Sequence, residues 1–189
     1  MHTIETLRLW LRPFTADDLD DLHQRIYADA EVMRYLPGGV PRPVEKTIAA
    51  IEAFQQHDAE HGYTIAAVID KETDQLMGHC GLWRLEVDHT IEVAYALGRA
   101  YWGQGFATEA AQATLRYGFE VCGLPQIVAL AFPENIASQR VIQKIGMQHI
   151  GPTRRYYNTD LILYLLANQD FMADAAPYNI TETHDRAHD

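Results

Sequence analysis

Residues 7 to 12 read LRLWLR, apolar and basic positions in alternation, which is the period of a strand with one buried face. The next stretch, TADDLDDLHQRIYADAEVM, opens on a Thr-x-x-Asp cap and spaces Leu19, Leu22, Ile26, Ala30 and Met33 by three or four, predicting an amphipathic helix that PGGVPRP ends. A second helix over about 44 to 61 carries Val44, Ile48 and Ile51 on one face and stops at Gly62. YTIAAVID and LMGHCGLWRL, joined by the polar KETDQ, predict an antiparallel hairpin, and TIEVAYAL a third, nearly continuous apolar strand. A helix over 108 to 122, the strand QIVALAF, a capped helix in NIASQRVIQKIG and a last strand in DLILYLL follow. From about Ala173 the chain is polar and without period, so residues 171–189 are expected to form a flexible tail after a single domain over 1–170. Hairpins in front and strand-helix-strand units behind place the fold in the α+β class: a central mixed, mostly antiparallel sheet with helices on both faces.

At 189 residues, 48% of them hydrophobic, the chain can bury one core and has little room for two. A formal charge of −11, from 26 acids against 15 bases, argues against general nucleic-acid binding, which rests on Lys and Arg neutralising phosphates. An anionic ligand would have to be held largely by backbone N–H groups. No apolar run reaches the roughly 20 residues of a membrane span, and MHTIETLRLWLRPF has charges where a signal peptide needs an apolar core, so a soluble, cytoplasmic protein is expected. Cys80 and Cys122 sit in apolar sequence and are expected to be free thiols. HDAEH, His57 to His61, formally matches an inverted zinc-peptidase motif, but the helix ends at Gly62 and no third ligand follows; HDRAH at 184 to 188 repeats only the spacing. No metal is expected.

The informative junction is YWGQGFATEA, residues 101 to 110, where a strand runs through Gly103 and Gly105 into helix-forming sequence. Such a junction needs either a tight turn or backbone brought close to a ligand. The unpaired first N–H groups of a helix, its dipole and an open glycine backbone together make an anion cradle. A dinucleotide fingerprint would need Gly or Ala where Thr108 stands, and a P-loop would need a lysine that is missing. YWGQGFATEA resembles the acyl-CoA loop of the GNAT N-acetyltransferase superfamily, Arg/Gln-x-x-Gly-x-Gly/Ala: Gly105 and Ala107 fill its last two places and Trp102 replaces the first residue. That departure is shared with the ribosomal-protein-alanine N-acetyltransferase branch, and ETLRLWLRPFTADD, GHCGL and NIASQRVIQKIGM extend the likeness over residues 4 to 167. The resemblance implies a GNAT fold that uses acetyl-CoA as co-substrate. Its pyrophosphate would lie on the amides of Gly103, Gly105, Ala107 and Thr108, and its pantetheine would pair with the Leu97 backbone like an added strand.

Acetyl transfer to an amine requires a base for the ammonium, donors for the oxyanion and a proton for the thiolate. Glu92 is the candidate base: a carboxylate in an apolar strand, on the face of Ala94 and Ala96, needs a partner or a task, the alternatives being an edge position or a structural ion pair. The resemblance supports the task, since many GNAT enzymes use a Glu at this place. Oxyanion donors are expected in the Ala94 and Tyr95 amides if the strand splays there. Many relatives place an acid tyrosine seven residues after the motif asparagine; here that position is Ile142, and Ser138 is the nearest replacement, read equally as proton donor or as helix-start residue. Asn135 reads as helix N-cap, as pantetheine partner or as both. Tyr156 and Tyr157 are alternative acids or pocket residues with Trp83 and Arg154, and Arg140 and Lys144 could meet the cofactor's outer phosphates. The expected acceptor is a primary amine, a protein N-terminus or a small cationic amine; a non-catalytic acyl-CoA-binding module is the competing class, and a homodimer is the default oligomeric expectation.

Overall fold

The structure, a computed structural model, describes residues 1–181. Nine strands form one sheet: β1 (Thr3–Glu5), β2 (Leu9–Arg12), β3 (Ile65–Asp70), β4 (Leu76–Arg84), β5 (Ile91–Leu97), β6 (Gln126–Ala131), β7 (Gln148–Thr153), β8 (Leu161–Ala167) and β9 (Asn179–Thr181). Their order is β7-β8-β6-β5-β4-β3-β2-β1-β9, and β5 with β6 is the parallel pair in an otherwise antiparallel sheet. The expected fold class is thus the observed one.

Alternation along β5 divides the molecule. Val93 and Leu97 pack with Ala110, Ala111 and Leu115 of α4 (Phe106–Arg116) and with Ile142 of α5 (Ile136–Lys144). Ala94 and Ala96 turn to the other face, where α1 (Leu19–Leu22), α2 (Ala30–Met33) and α3 (Val44–His61) cover the sheet with Leu22, Met33 and Ile51. A fully buried Leu115 or Leu22 contributes about 2–3 kcal/mol by leaving water.

Three segments differ from the sequence reading. The long helix expected over 16 to 33 is interrupted: α1 widens into a π-type turn over His23–Tyr27, and α2 restarts with Asp29 accepting from the amides of Glu31 and Val32. β7 went unread because it is an edge strand with exposed and half-buried residues, so it carries no apolar period. The described part of the expected flexible tail is laid down on the body. β9 pairs with β1, Ile180 opposite Ile4; Phe171 lies 4.9 Å from the Phe119 ring, and the Arg116 guanidinium sits 4.4 Å from the Tyr178 ring centroid. Two aromatics and an edge ladder hold residues 171–181 against the body. HDRAH at 184–188 lies outside the described residues.

If this seating contributes to stability, Phe171→Ala lowers the unfolding free energy by about 2 kcal/mol, roughly half the loss of a fully buried Phe. Urea denaturation measures it, and an unchanged midpoint returns the segment to a loose tail.

Candidate active site

β5 and β6 share one registered pair, Glu92 with Val128, and part beyond it. The parting opens a cleft of about 470 Å³ that brings together the predicted base, acid and cofactor-binding residues: Glu92, Leu97, Gly103, Gly105, Ala107, Thr108, Asn135 and Ser138. Which amides face it follows from strand period. The Gly98 amide donates to the Met77 carbonyl at 2.8 Å, so Ala94 and Ala96 also point their amides at β4, while those of Tyr95 and Leu97 face the opening. This corrects the expectation for Ala94, whose N–H belongs to the β4 ladder. The Leu97 carbonyl is already engaged, accepting from Trp102 Nε1 at 2.6 Å. Trp102 therefore has a definite part where the motif has Arg or Gln: its indole ties the loop back to the end of β5.

The loop is glycine-dependent. Gly103 and Gly105 hold φ of +75° and +84°, and Gly105 is the N-cap of α4 with no side chain capping the helix. A Cβ on Gly103 would meet no protein atom within 4 Å, so the backbone there borders open space. Behind the loop, Glu109 accepts from Thr6 Oγ1, the Arg8 amide and Arg8 Nε at 2.7, 2.8 and 2.7 Å; Arg8 also donates to the Gln104 carbonyl at 3.1 Å and stacks 4.1 Å from the Phe106 ring centroid. The first amides of α4 are thus fixed from behind and open in front. Arg140 and Lys144 line the same cleft and have no ion pair among the described residues. In a chain of net charge −11, unpaired cations beside uncapped amides fit a polyanionic ligand.

Two hydroxyl pairs flank β5, one on each face. Glu92 is 5% exposed and accepts from the Tyr157 hydroxyl at 2.6 Å. Burial lifts its carboxyl to about 7, against the opposing pull of that hydrogen bond. Burial and the neighbouring carboxylate in turn hold the Tyr157 phenol protonated, as a donor. Tyr157 and Asn158 sit in the left-handed region at φ of +54° and +50°, a local strain imposed where Asp88 pins the loop by accepting from Tyr156 at 3.0 Å and pairing with Arg155 at 2.8 Å. On the other face, Tyr95 reaches α5: its hydroxyl is 2.9 Å from Ser138 Oγ and donates to the Ser138 carbonyl at 3.0 Å. Asn135 accepts from the Ser138 amide at 3.1 Å and is the N-cap, one of its two predicted parts.

Sequence reasoning missed the side chains of Tyr95 and His79, both residues lining the cleft. Tyr95 had a readable signal, a phenol in an apolar strand on the opposite face from Glu92. Trp83 and Arg154 do not line this cleft: Trp83 stacks on His57 at 4.2 Å and Arg154 pairs with Asp160 at 2.9 Å. HDAEH is structural. His57 Nδ1 meets the Tyr63 carbonyl at 2.8 Å and Nε2 accepts from the Arg84 amide at 3.2 Å. Among the described residues, no group of three His, Cys, Asp or Glu is placed to hold a metal, and no helix is long and apolar enough to cross a membrane. Cys80 and Cys122 are free; burial pushes the Cys80 thiol up to about 12, which makes it a poor nucleophile.

The chain is similar to known proteins in sequence and in fold. Residues 8–148 match the acetyltransferase (GNAT) domain family. The uncharacterized N-acetyltransferase YnaD of Bacillus subtilis (strain 168) is 36% identical over 151 residues, covering 80% of this chain and 85% of that protein. The crystal structure of a GNAT-family acetyltransferase from Bacillus anthracis superposes with a TM-score of 0.76 at 30% identity, over 88% of this chain and 99% of that one. A ribosomal-protein-S5-alanine acetyltransferase from Vibrio fischeri shares the fold, with a TM-score of 0.74 at 18% identity over 90% of this chain and 98% of its own.

The buried Glu92 carries a pH signature. Below about pH 4.5 the carboxyl is protonated in both folded and unfolded chains; from there to about 7 the unfolded chain releases a proton that the folded one keeps. Stability attributable to this group is therefore full at low pH and lost as pH rises through the window, by about 3 kcal/mol at 1.36 kcal/mol per unit. Glu92→Gln, which cannot ionise, is expected to gain on the wild type between about pH 5 and pH 8 in thermal melts. A difference constant with pH would mean that Glu92 ionises normally in the fold.

Proposed function

This chain belongs to the GNAT acetyltransferase family, and from that premise we propose that it moves an acetyl group from acetyl-CoA directly to a primary amine in a ternary complex. The observation that carries the reading is the single cleft joining uncapped α4 amides to a buried carboxylate. In this reading the amides of Gly103, Gly105, Ala107 and Thr108 hold the pyrophosphate, Arg140 and Lys144 screen outer phosphates, and the Tyr95 and Leu97 amides face the pantetheine and thioester region. Glu92 takes the proton of the attacking amine as the C–N bond forms. Its raised pKa, about 7, matches a base that must accept a proton near neutral pH and yet be mostly ionised just above it. As the C–S bond breaks, Ser138 Oγ–H supplies a proton to the departing sulfur and takes one back from solvent entering the cleft, its oxygen held 2.9 Å from the Tyr95 hydroxyl. No covalent enzyme intermediate enters, since neither thiol stands in the cleft.

The acceptor reading that fits this cleft best is an extended amine such as a peptide N-terminus. Glu31, Tyr35, Leu36 and Phe132 line the cleft, with the Tyr35 and Phe132 rings 6.1 Å apart. One anionic and several apolar side chains suit a cation with an apolar body more than a polyamine, which would meet few carboxylates there.

Purified protein given acetyl-CoA and a panel of peptides and amines is expected to release free thiol. Glu92→Gln lowers turnover at neutral pH about 10²- to 10³-fold while leaving acetyl-CoA affinity by calorimetry near the wild-type value, with partial recovery at about pH 9 to 10, where the amine sheds its own proton. Equal turnover in the variant removes the base assignment. Cofactor binding with no turnover on any amine would make the chain a non-catalytic acyl-CoA-binding module.

A further inference from the structure

His79 of β4 is an unexplained polar group in the cleft wall. It lies opposite Ala96, so its ring projects to the helix-α2 face, and its neighbours on β5 there are the small side chains Ala94 and Ala96, which leave the cleft open down to it. The residue is 6% exposed, packed beside the rings of Tyr27 at 5.9 Å and Phe54 at 6.3 Å. Its Nδ1 is sealed from solvent with no hydrogen-bond partner, and Nε2 has none among the described residues either. An apolar side chain of similar size would fill this position without leaving polar atoms unmet, so the imidazole is the costly choice.

Burial, and secondarily the charge of Arg42, push the His79 pKa down to about 4, so the ring is neutral at physiological pH and carries one N–H. Placing that proton on Nδ1 would bury an N–H without an acceptor, the rarer defect; placing it on Nε2 leaves only a lone pair unused. Nε2 is also the nitrogen not sealed by protein, so the ring presents a neutral donor to the cleft. Along β5, Ala96 is four residues from Glu92, about 13 Å at the rise of a strand. An extended peptide whose α-amine meets Glu92 brings a backbone carbonyl of its third or fourth residue to that distance.

We propose that His79 recognises the acceptor: its Nε2–H donates a hydrogen bond to a carbonyl or carboxylate oxygen of the amine substrate, selecting peptide-like acceptors over plain alkylamines. The proposal rests on the acetyltransferase reading above, with the acceptor on the Glu92 face of β5. Neutrality matters here, because a neutral donor discriminates by geometry and does not repel the approaching ammonium.

The test compares an alanine tetrapeptide amide with hexylamine as acceptors, using the full-length wild type, His79→Phe and His79→Gln. The expected result is that His79→Phe lowers the tetrapeptide-to-hexylamine ratio of kcat/KM about tenfold, through KM for the peptide, with KM for acetyl-CoA unchanged. His79→Gln, which returns an N–H near the place of Nε2, recovers part of the ratio. An unchanged ratio, or a rise in KM for acetyl-CoA instead, overturns the proposal. A second readout needs no turnover: in the wild type saturated with coenzyme A, the 15N resonance of His79 Nε2 shifts when the tetrapeptide is added and stays put with hexylamine. If neither amine is acetylated, the transferase reading fails on these acceptors, while the resonance still decides for or against recognition by His79.

Discussion

The β5 and β6 strands stop pairing after Glu92 and Val128, and the cleft is the space that this parting leaves. In a continuous sheet the Tyr95 and Leu97 amides would bond β6, and the side chains beyond Glu92 would pack between two covered faces. Unpaired backbone inside a protein is unfavourable, so the split persists only where other groups meet the freed atoms. Trp102 does this for the Leu97 carbonyl, and the Tyr95 hydroxyl spans the gap to α5 at Ser138. The amides that remain unmet face the cleft, where an incoming extended ligand can complete the ladder.

Much of this arrangement could be read from the chain because it rests on local rules. The period of two puts Glu92 on the Ala94 face, and the left-handed φ at Gly103 and Gly105 favours glycine there. The long core helices and central strands follow from apolar spacing. What escaped is long-range or peripheral. The Tyr157–Glu92 contact joins residues 65 apart, and nothing in the spelling of RYYN tells which tyrosine reaches the carboxylate. The exposed and half-buried residues of β7 and the three of β9 carry no apolar period, and the tail is held by ring contacts to α4 and the turn after it that only the folded body provides. His79 sat inside a quoted motif, GHCGL, yet its chemistry depends on two alanines of a neighbouring strand being small.

Burial acts on titratable groups on both faces of the sheet, with different consequences for the chemistry. At Glu92 it disfavours the anion and sets the carboxyl near neutrality, which is unfavourable for folding above that pH and useful for accepting a proton. At His79 it disfavours the cation and keeps the imidazole neutral. At Cys80 it silences a thiol that the fold places near the centre of the sheet. A single physical effect, desolvation, thus shifts all three groups toward their uncharged forms, leaving Glu92 poised near neutral pH and His79 and Cys80 uncharged.

The same alternation also separates the two proton transfers of the proposed reaction. Glu92 lies on the α1–α3 face of β5, whereas Tyr95, three positions on, projects to the α4–α5 face and meets Ser138 there. With the strand itself between them, the amine can deliver its proton on one side while the sulfur collects one on the other, and the acyl carbon crosses at the edge where the sheet has opened. Rigid β backbone, fixed to β4 through the ladder from Gly78 to Arg84, is what keeps the two groups at that separation.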